Sequence, residues 1–187
     1  LRRSGAALIL NDTFTQNDID NNRITYDHDG SETTSDSFPF SLADGGEDGS
    51  MPATGTFNIL VTASNDAPTI ATNTGASVAE GSTANLVTMA MLDEGDPDDD
   101  GTELTYTLTS ATTNGTLRLS GAALTLANTF TQDDIDNNRI TYDHDGSETT
   151  ADNFQFSLAD GGEDGATPAT GTFNPLLTAV NDPPVVS

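Results

Sequence analysis

The 187-residue sequence contains no cysteine, no tryptophan and no lysine. Without cysteine there is no disulfide framework, so a chain that works outside the cell must be held together in another way. Five arginines stand against 30 acidic residues, which gives a formal net charge of -25. This charge excludes nucleic acid and anionic membrane surfaces as direct partners, because their phosphates are bound by Lys and Arg side chains.

Long apolar runs are also missing. None approaches the ~20 residues of a membrane span, so we expect no membrane insertion. The sequence begins without an initiator Met or a signal peptide, which indicates an excerpt from a larger soluble or secreted polypeptide. Only 34% of the residues are hydrophobic, a composition close to that of disordered chains. The apolar residues nevertheless form short alternating runs that recur, so we predict a folded chain with a small core.

The acidic charge itself calls for a counter-ion. Self-repulsion at this charge density disfavours a compact chain. Clustered Asp residues in Gly-rich loops offer the carboxylate oxygens that hard divalent cations prefer. Ca²⁺ is therefore the expected cofactor.

The sequence repeats itself with a period of 116 residues. Residues 4–66 align with residues 120–182, and 51 of these 63 positions are identical. This period is about the size of one small domain and indicates a tandem array. Both copies end on Asn-Asp followed within two residues by Pro, which suits a junction between modules. We predict that residues 1–66 are the later part of one truncated module, 67–182 a complete module, and 183–187 the start of the next linker.

Within the complete module, short apolar or alternating runs bounded by Gly, Asn, Asp and Ser predict seven or eight strands, and hence an all-β sandwich. One helical turn is expected after Thr131, which can cap it. Pro175 replaces Ile59 of the first copy and predicts a sheet edge or a bulge. The predicted strands are Thr69–Ala71, Ala84–Met91, Glu103–Thr109, Gly115–Leu119, Ala122–Leu126, Arg139–Asp143, Asn153–Ala159 and Gly171–Ala179.

The sharpest local motif is D-x-D-x-D-G, formed by Asp96, Asp98, Asp100 and Gly101. Alternate carboxylates followed by a glycine aim several oxygens at one ion, as in the first half of a calcium loop. An EF-hand is excluded, because Thr107 stands where the twelfth-position Glu would be. We favour calcium ligation over a solvated acidic turn.

Two further acidic clusters occur in both copies, at residues 27–36 and 143–152 and at residues 44–49 and 160–165. Asp-Gly pairs also form turns without any ion. We prefer a solvated surface for the outer residues Glu47, Asp48, Glu163 and Asp164. The repeated phrase DIDNNR is expected to be mainly a capped turn, with its Arg paired to a carboxylate.

Catalysis is not expected. Each module supplies one His and no Cys, so a zinc site of nitrogen and sulfur ligands cannot form within it, and a structural His is favoured. Motifs for a nucleophilic serine or for phosphate binding are absent. Paired carboxylates can hydrolyse glycosides, but so acidic a chain offers such pairs by chance, and few aromatic residues are present to line a sugar cleft.

The stretch FTQDDIDNNRITYDHDGSETTADNFQFSLADG, residues 130–161, together with AEG, DPDDDG and the closing VND-P-P, resembles a cadherin-like repeat of the chondroitin sulfate proteoglycan (CSPG) type, as found in bacterial surface adhesins. The resemblance implies an immunoglobulin-like Greek-key sandwich in tandem, with calcium where modules meet. At the first junction it implies the ligands Asp44, Asn65, Asp66, Glu80, Asp96 and Asp98. It also implies Asp29, Glu32 or Asp36 in place of a mid-domain acidic motif, and a weaker or empty second site at Asp160, Asn181 and Asp182.

These inferences lead to a hypothesis of function. We expect a calcium-rigidified spacer in a large secreted or cell-surface adhesin of bacterial origin, with neighbouring repeats as its partners. The alternative is a calcium-dependent adhesion module that recognises polysaccharide or a second copy of itself.

Overall fold

The computed structural model describes residues 1–46, 49–162 and 165–183. The outer acidic residues Glu47, Asp48, Glu163 and Asp164, for which a solvated surface is expected, lie outside these ranges. The chain divides into two compact units, residues 1–63 and 64–187. The predicted module boundary after Asp66 stays a prediction.

The described residues of unit 2 form twelve short strands and one helical turn. The elements are β6 (Ile70–Asn73), β7 (Ser77–Ala79), β8 (Asn85–Leu86), β9 (Leu92–Glu94), β10 (Thr105–Ser110), β11 (Gly115–Leu119), β12 (Ala122–Ala123), β13 (Thr129–Thr131), α2 (Gln132–Asp136), β14 (Ile140–His144), β15 (Phe154–Ala159), β16 (Ala169–Phe173) and β17 (Leu176–Thr178).

These strands form the β-sandwich that the sequence predicts. One four-stranded sheet has the order β13-β10-β15-β16 and another the order β12-β11-β14-β8. Two smaller pairs complete the unit: β6 with β9 antiparallel, and β7 with β17 parallel. Alternating residues of β10, β14 and β15 are fully buried, as expected for strands with one face on a core.

Aromatic rings form the centre of this core. Tyr106 stacks on Phe130 with ring centroids 4.9 Å apart and meets the edge of Phe156 at 5.3 Å. Phe154 stacks on Phe173 at 5.1 Å. Such pairs add about 1 kcal/mol each beyond the burial of their area. A chain with few apolar residues therefore concentrates them between two sheets.

The helical turn after Thr131 is confirmed. Thr131 accepts a hydrogen bond from the backbone N–H of Asp134, whose carboxylate accepts one from Thr131 N at 2.9 Å. This reciprocal capping box satisfies donors that a helix start would otherwise leave open. Arg139 donates to Asp134 at 2.8 Å and also pairs with Asp133. The phrase DIDNNR is thus largely structural, as predicted.

Pro175 divides what the sequence predicts as one strand, residues 171–179, into β16 and β17. Proline has no backbone N–H to continue a ladder. After it the chain leaves β15 and pairs with β7 instead. The predicted strand at residues 84–91 is also shorter, because only β8 forms there and Ala84 has a positive φ of 56°.

Unit 1 repeats the second half of this arrangement. Its elements are β1 (Arg2–Arg3), β2 (Ala6–Ala7), α1 (Gln16–Asp20), β3 (Ile24–Thr25), β4 (Ser35–Leu42) and β5 (Ala53–Leu60). Strands β2, β1 and β3 form one sheet, and β4 pairs with β5 over eight residues. With Ile59 in place of Pro175, β5 runs through this position without a break.

Candidate metal centres

Three carboxylates converge near the start of unit 2, and we call Asp96, Asp99 and Asp160 the first acidic cluster. One oxygen from each lies within 4.8 Å of the other two. Oxygens bound to a single Ca²⁺ at 2.3–2.6 Å lie at most about 5 Å apart. The three side chains are therefore spaced to share an ion.

Strand pairing explains why residues so distant in sequence meet here. Asp160 directly follows β15, whose last residue Ala159 pairs with Thr105 at the start of β10. The loop with Asp96 and Asp99 leads from β9 to β10. The end of β15 and this loop therefore lie at the same end of the sheet.

Hydrogen bonds hold the loop in a shape that presents its carboxylates. Asp96 Oδ1 accepts from the backbone N–H groups of Asp98 at 2.9 Å and Asp99 at 3.1 Å. Glu94 accepts from Asp96 N at 2.6 Å. These bonds fix the first half of the D-x-D-x-D-G motif as an Asx turn.

The linker residues reach the same place. Asn65 Nδ2 donates to Asp160 Oδ2 at 3.0 Å, and Asp66 N donates to Asp98 Oδ2 at 2.7 Å. The Asn65 bond, followed by one from Gly162 N, lowers the pKa of Asp160. Asp160, which is 5% exposed, is therefore held in its charged form, the form that binds a cation.

The donor set fits calcium. Asp96 Oδ2 is buried and has no hydrogen-bond partner within the described part of the chain. A buried carboxylate oxygen without a partner is costly. A hard cation satisfies it directly, and all the converging side-chain ligands are oxygens, which calcium prefers over nitrogen or sulfur.

A second acidic cluster consists of Glu80, Glu148 and Asp182, again with one oxygen from each within 4.8 Å of the others. Glu80 directly follows β7. Because β7 runs parallel to β17, with Ala79 opposite Thr178, Glu80 lies beside the end of the module. Its carboxylate accepts from Val180 N at 2.9 Å.

Like charges dominate the second cluster. The negative charge of Glu80 is the largest cause that raises the pKa of Glu148, followed by desolvation and the charge of Asp182. In such a group each negative charge disfavours the ionised form of the neighbouring carboxylates unless a cation is bound. The second cluster therefore has the electrostatics of a cation site.

His144 is structural, as the sequence suggests. Its side chain is fully buried. Nδ1 accepts from Gly81 N at 3.0 Å and Gly146 N at 3.1 Å, and Nε2 lies 3.2 Å from Thr149 Oγ1. The ring thus ties the loop after Glu80 to the loop that carries Glu148.

Two of the predicted ligands belong to different groups from those expected. Glu80 lies in the second cluster, not with Asp96 and Asp98, because β7 pairs in parallel with β17. Asp160 lies in the first cluster, not with Asp182, because β15 pairs with β10. Both corrections follow from strand pairings between residues far apart in sequence.

Three further predicted ligands lie outside the two clusters. Asp100 is exposed, and its carbonyl accepts from Glu103 N at 3.0 Å. Asn181 Nδ2 donates to the carbonyl of Asp182 at 3.4 Å. In unit 1, Asp44 accepts from Gly46 N at 3.1 Å, at the position that corresponds to Asp160.

Asp29 and Asp36 are engaged by protein donors. Asp29 Oδ1 accepts from Ser31 N and Oγ, which lowers its pKa. Asp36 accepts from Tyr26 Oη at 2.8 Å and Ser37 N at 2.7 Å. Its counterpart Asp152 is buried and accepts from five donor groups, so this position has a structural role in a complete module. Glu32 corresponds to Glu148.

Sequence reasoning missed two members of the clusters. Asp99 occupies a non-alternating position of the D-x-D-x-D-G motif, which favoured Asp100 instead. Glu148 was predicted only through its copy Glu32. The period of 116 residues was the signal that could have found it.

The β-sandwich of unit 2, with acidic clusters in its loops, is consistent with a cadherin-like module. The family model described as cadherin-like matches residues 3–61 and 68–172. The chain belongs to this family, in its CSPG-type form.

Several curated proteins are similar to the chain. They include human FRAS1-related extracellular matrix protein 2 (32% identical over 176 residues, 83% of this chain and 6% of that protein), extracellular matrix protein 3 of Lytechinus variegatus (36% over 151 residues, 80% and 5%) and human chondroitin sulfate proteoglycan 4 (36% over 149 residues, 79% and 6%). The chain thus spans about one-twentieth of the length of these relatives. They are animal proteins and give no support to the expected bacterial origin.

Two of these relatives are named as extracellular matrix proteins and the third as a proteoglycan. Over the ranges that the structure covers, no helix has the length and apolar character needed to cross a membrane.

Proposed function

We propose that the complete module binds calcium at its two acidic clusters and serves as a calcium-stiffened spacer in an extracellular array of cadherin-like repeats. The observation that carries this proposal is the buried Asp96 Oδ2, which has no hydrogen-bond partner in the described ranges and belongs to a carboxylate grouped with those of Asp99 and Asp160. The extracellular setting is supported by the matrix proteins that share the repeat.

The physical basis is electrostatic. Three carboxylates held within 4.8 Å repel one another when no cation is present. A divalent cation turns this repulsion into attraction and ties together the loops and linker that carry the ligands. When calcium binds only the folded form, a hundredfold excess over Kd adds about 2.7 kcal/mol to the free energy of unfolding.

Asp66 and Asp182 connect calcium binding to the stiffness of the linkers between repeats. Asp66 donates from its backbone to Asp98 beside the first cluster, and Asp182 belongs to the second. Both residues end a repeat in the sequence. Calcium held beside them restricts the linker backbone, so consecutive repeats in an array behave as a stiffer rod.

Calorimetric titration of calcium into the 187-residue chain tests this function. We expect saturable binding, and we expect Asp96→Asn to remove the binding of the first cluster while Glu80→Gln removes that of the second. Asp100→Asn is the matched control, because it removes one carboxylate from the same loop but outside the cluster. No calcium binding, or equal losses with Asp96→Asn and Asp100→Asn, would overturn the assignment.

Small-angle X-ray scattering of the same chain tests the spacer role separately. The range of particle dimensions is expected to narrow when calcium replaces a chelator. If calcium binds without any change in the scattering profile, the module binds calcium but the proposed stiffening is wrong.

A further inference from the structure

A parallel strand pair joins the early and late parts of unit 2. Strand β7 follows β6 near the start of the unit, and β17 is the last strand of its described residues. The paired residues are Ser77 with Leu176, Val78 with Leu177, and Ala79 with Thr178. The other strand pairs within the described part of unit 2 are antiparallel.

Backbone hydrogen bonds extend this pair beyond the strands at both ends. Leu176 N donates to the carbonyl of Ala76 at 2.7 Å, and Glu80 N donates to the carbonyl of Thr178 at 2.9 Å. On the other side of β17, Leu177 N donates to the carbonyl of Thr150 at 3.3 Å. Strand β17 is therefore held by backbone bonds on both of its sides.

Side chains also hold the two strands in register. Val78 and Leu177 lie opposite each other and are only 2% and 5% exposed, whereas the residues on either side of them in each strand are exposed. If one strand slid along the other, both buried side chains would have to leave the core. Their burial therefore resists the same movement as the backbone bonds.

The direction of the strands decides how this pair responds to a pull on the two ends of unit 2. Such a pull reaches β7 at its first residue and β17 at its last residue. Because the strands are parallel, the two forces act along them in opposite senses, and the bonds of the pair share the load. Forced unfolding is governed by the rate of unfolding, and a barrier that requires several bonds to break together is crossed slowly.

We infer that β7 and β17 form a mechanical clamp that bears tension between the two ends of the module. This inference rests on the spacer role proposed above, because a spacer in an extracellular array is loaded through its ends. It does not rest on calcium, since the clamp consists of backbone bonds and buried apolar side chains. The module thus resists unfolding under load as well as separating its neighbours.

Single-molecule force spectroscopy of the 187-residue chain in chelator tests the clamp. The chain has no cysteine, so handles can be attached at Ser64→Cys and Pro183→Cys, two exposed positions that flank the strands of unit 2. Unfolding between them should occur in one dominant event that releases about 40 nm of chain.

A second pair of handles, at Thr83→Cys and Pro183→Cys, loads the same clamp in another direction. Thr83 is exposed and follows β7, so both strands are then pulled apart from their C-terminal ends and their bonds open one after another. This direction should give a clearly lower unfolding force. Equal forces in the two directions would overturn the inference, and this comparison leaves both strands of the clamp unchanged.

Leu176→Pro tests the contribution of the pair itself. The change removes the donor of the 2.7 Å bond to Ala76, and little core packing is lost because Leu176 is 67% exposed. Ala122→Pro is the matched control, since Ala122 is exposed in the edge strand β12, which pairs with β11 away from the clamp.

Urea unfolding gives the equilibrium stability of both variants, for comparison with the force measured between residues 64 and 183. Leu176→Pro should lose the high-force event, whereas Ala122→Pro should keep it even where its stability in urea is reduced. Loss of the event in both variants, or in neither, would overturn the clamp. Because the forces are measured in chelator, these outcomes are distinct from a failure of calcium binding or of calcium-dependent stiffening.

Discussion

Replacing Asp152 with alanine should destabilise unit 2 strongly, while the same change at Asp36 in unit 1 should do little. Asp152 is 4% exposed and accepts hydrogen bonds of 2.8–3.2 Å from Tyr142 Oη, Thr113 N and Oγ1, Asn114 N and Asn153 N. Asp36 is exposed and accepts only from Tyr26 Oη and Ser37 N among the bonds identified in unit 1.

The size of the destabilisation follows from the hydrogen-bond donors that lose their acceptor when the Asp152 carboxylate is removed. Each buried donor without a partner costs about 1–3 kcal/mol, and partial exposure of Thr113 and Asn114 lets water compensate some of them. We expect Asp152→Ala to lower the free energy of unfolding by about 4 kcal/mol. For a unit of this size, that corresponds to a fall in melting temperature of about 15 °C. Asp36→Ala should cost less than about 1 kcal/mol.

Urea unfolding followed by circular dichroism measures both variants under the same conditions. Because Asp36 and Asp152 occupy corresponding positions of the repeat, the local sequence is a built-in control. Losses of equal size in the two variants would refute the inferred network, since only Asp152 is surrounded by the donors of the loop between β10 and β11.

Other variants test the clusters and the core. Asp96→Asn should raise the melting temperature in chelator, because it removes a like charge from the first cluster. The same change should remove much of the rise in melting temperature that calcium causes. Scanning calorimetry in calcium and in chelator measures both effects. The pKa of Glu148 is raised above its usual value, chiefly by Glu80, so without calcium this residue favours the folded state at low pH and loses that contribution as the pH rises through its folded pKa. In chelator, the free energy of unfolding of the Glu148→Gln variant should therefore fall less than that of the unmodified chain as the pH rises above about 4.5. Tyr106→Phe removes the 2.7 Å hydrogen bond to Gln132 and should cost about 1 kcal/mol in urea unfolding; an unchanged midpoint would contradict the importance of that bond.

Much of the fold could be predicted from periodicity and turn residues alone. Strand β11 forms over its predicted range, and β10, β14 and β15 differ from their own predicted ranges by one or two residues at one or both ends. The helical turn is encoded locally by Thr131 and Asp134, which cap each other. Such elements depend on neighbours in sequence, so the sequence shows them directly.

The elements that depend on distant partners could not be predicted. Strand β13 has the same three residues as a stretch of unit 1 that forms no strand, so its state is set by β10 rather than by its own sequence. The parallel pairing of β7 with β17 has no local signal either. That pairing places Glu80 beside Glu148 and Asp182, a grouping that differs from the one predicted from the sequence.

The most direct test of the central proposal is the melting temperature of the unmodified chain in chelator and in calcium at a hundredfold excess over its Kd. We predict a rise that corresponds to about 2.7 kcal/mol of added stability, together with a dependence on calcium concentration. An identical melting curve in the two conditions would contradict calcium binding at the acidic clusters, and with it the calcium-stiffened spacer.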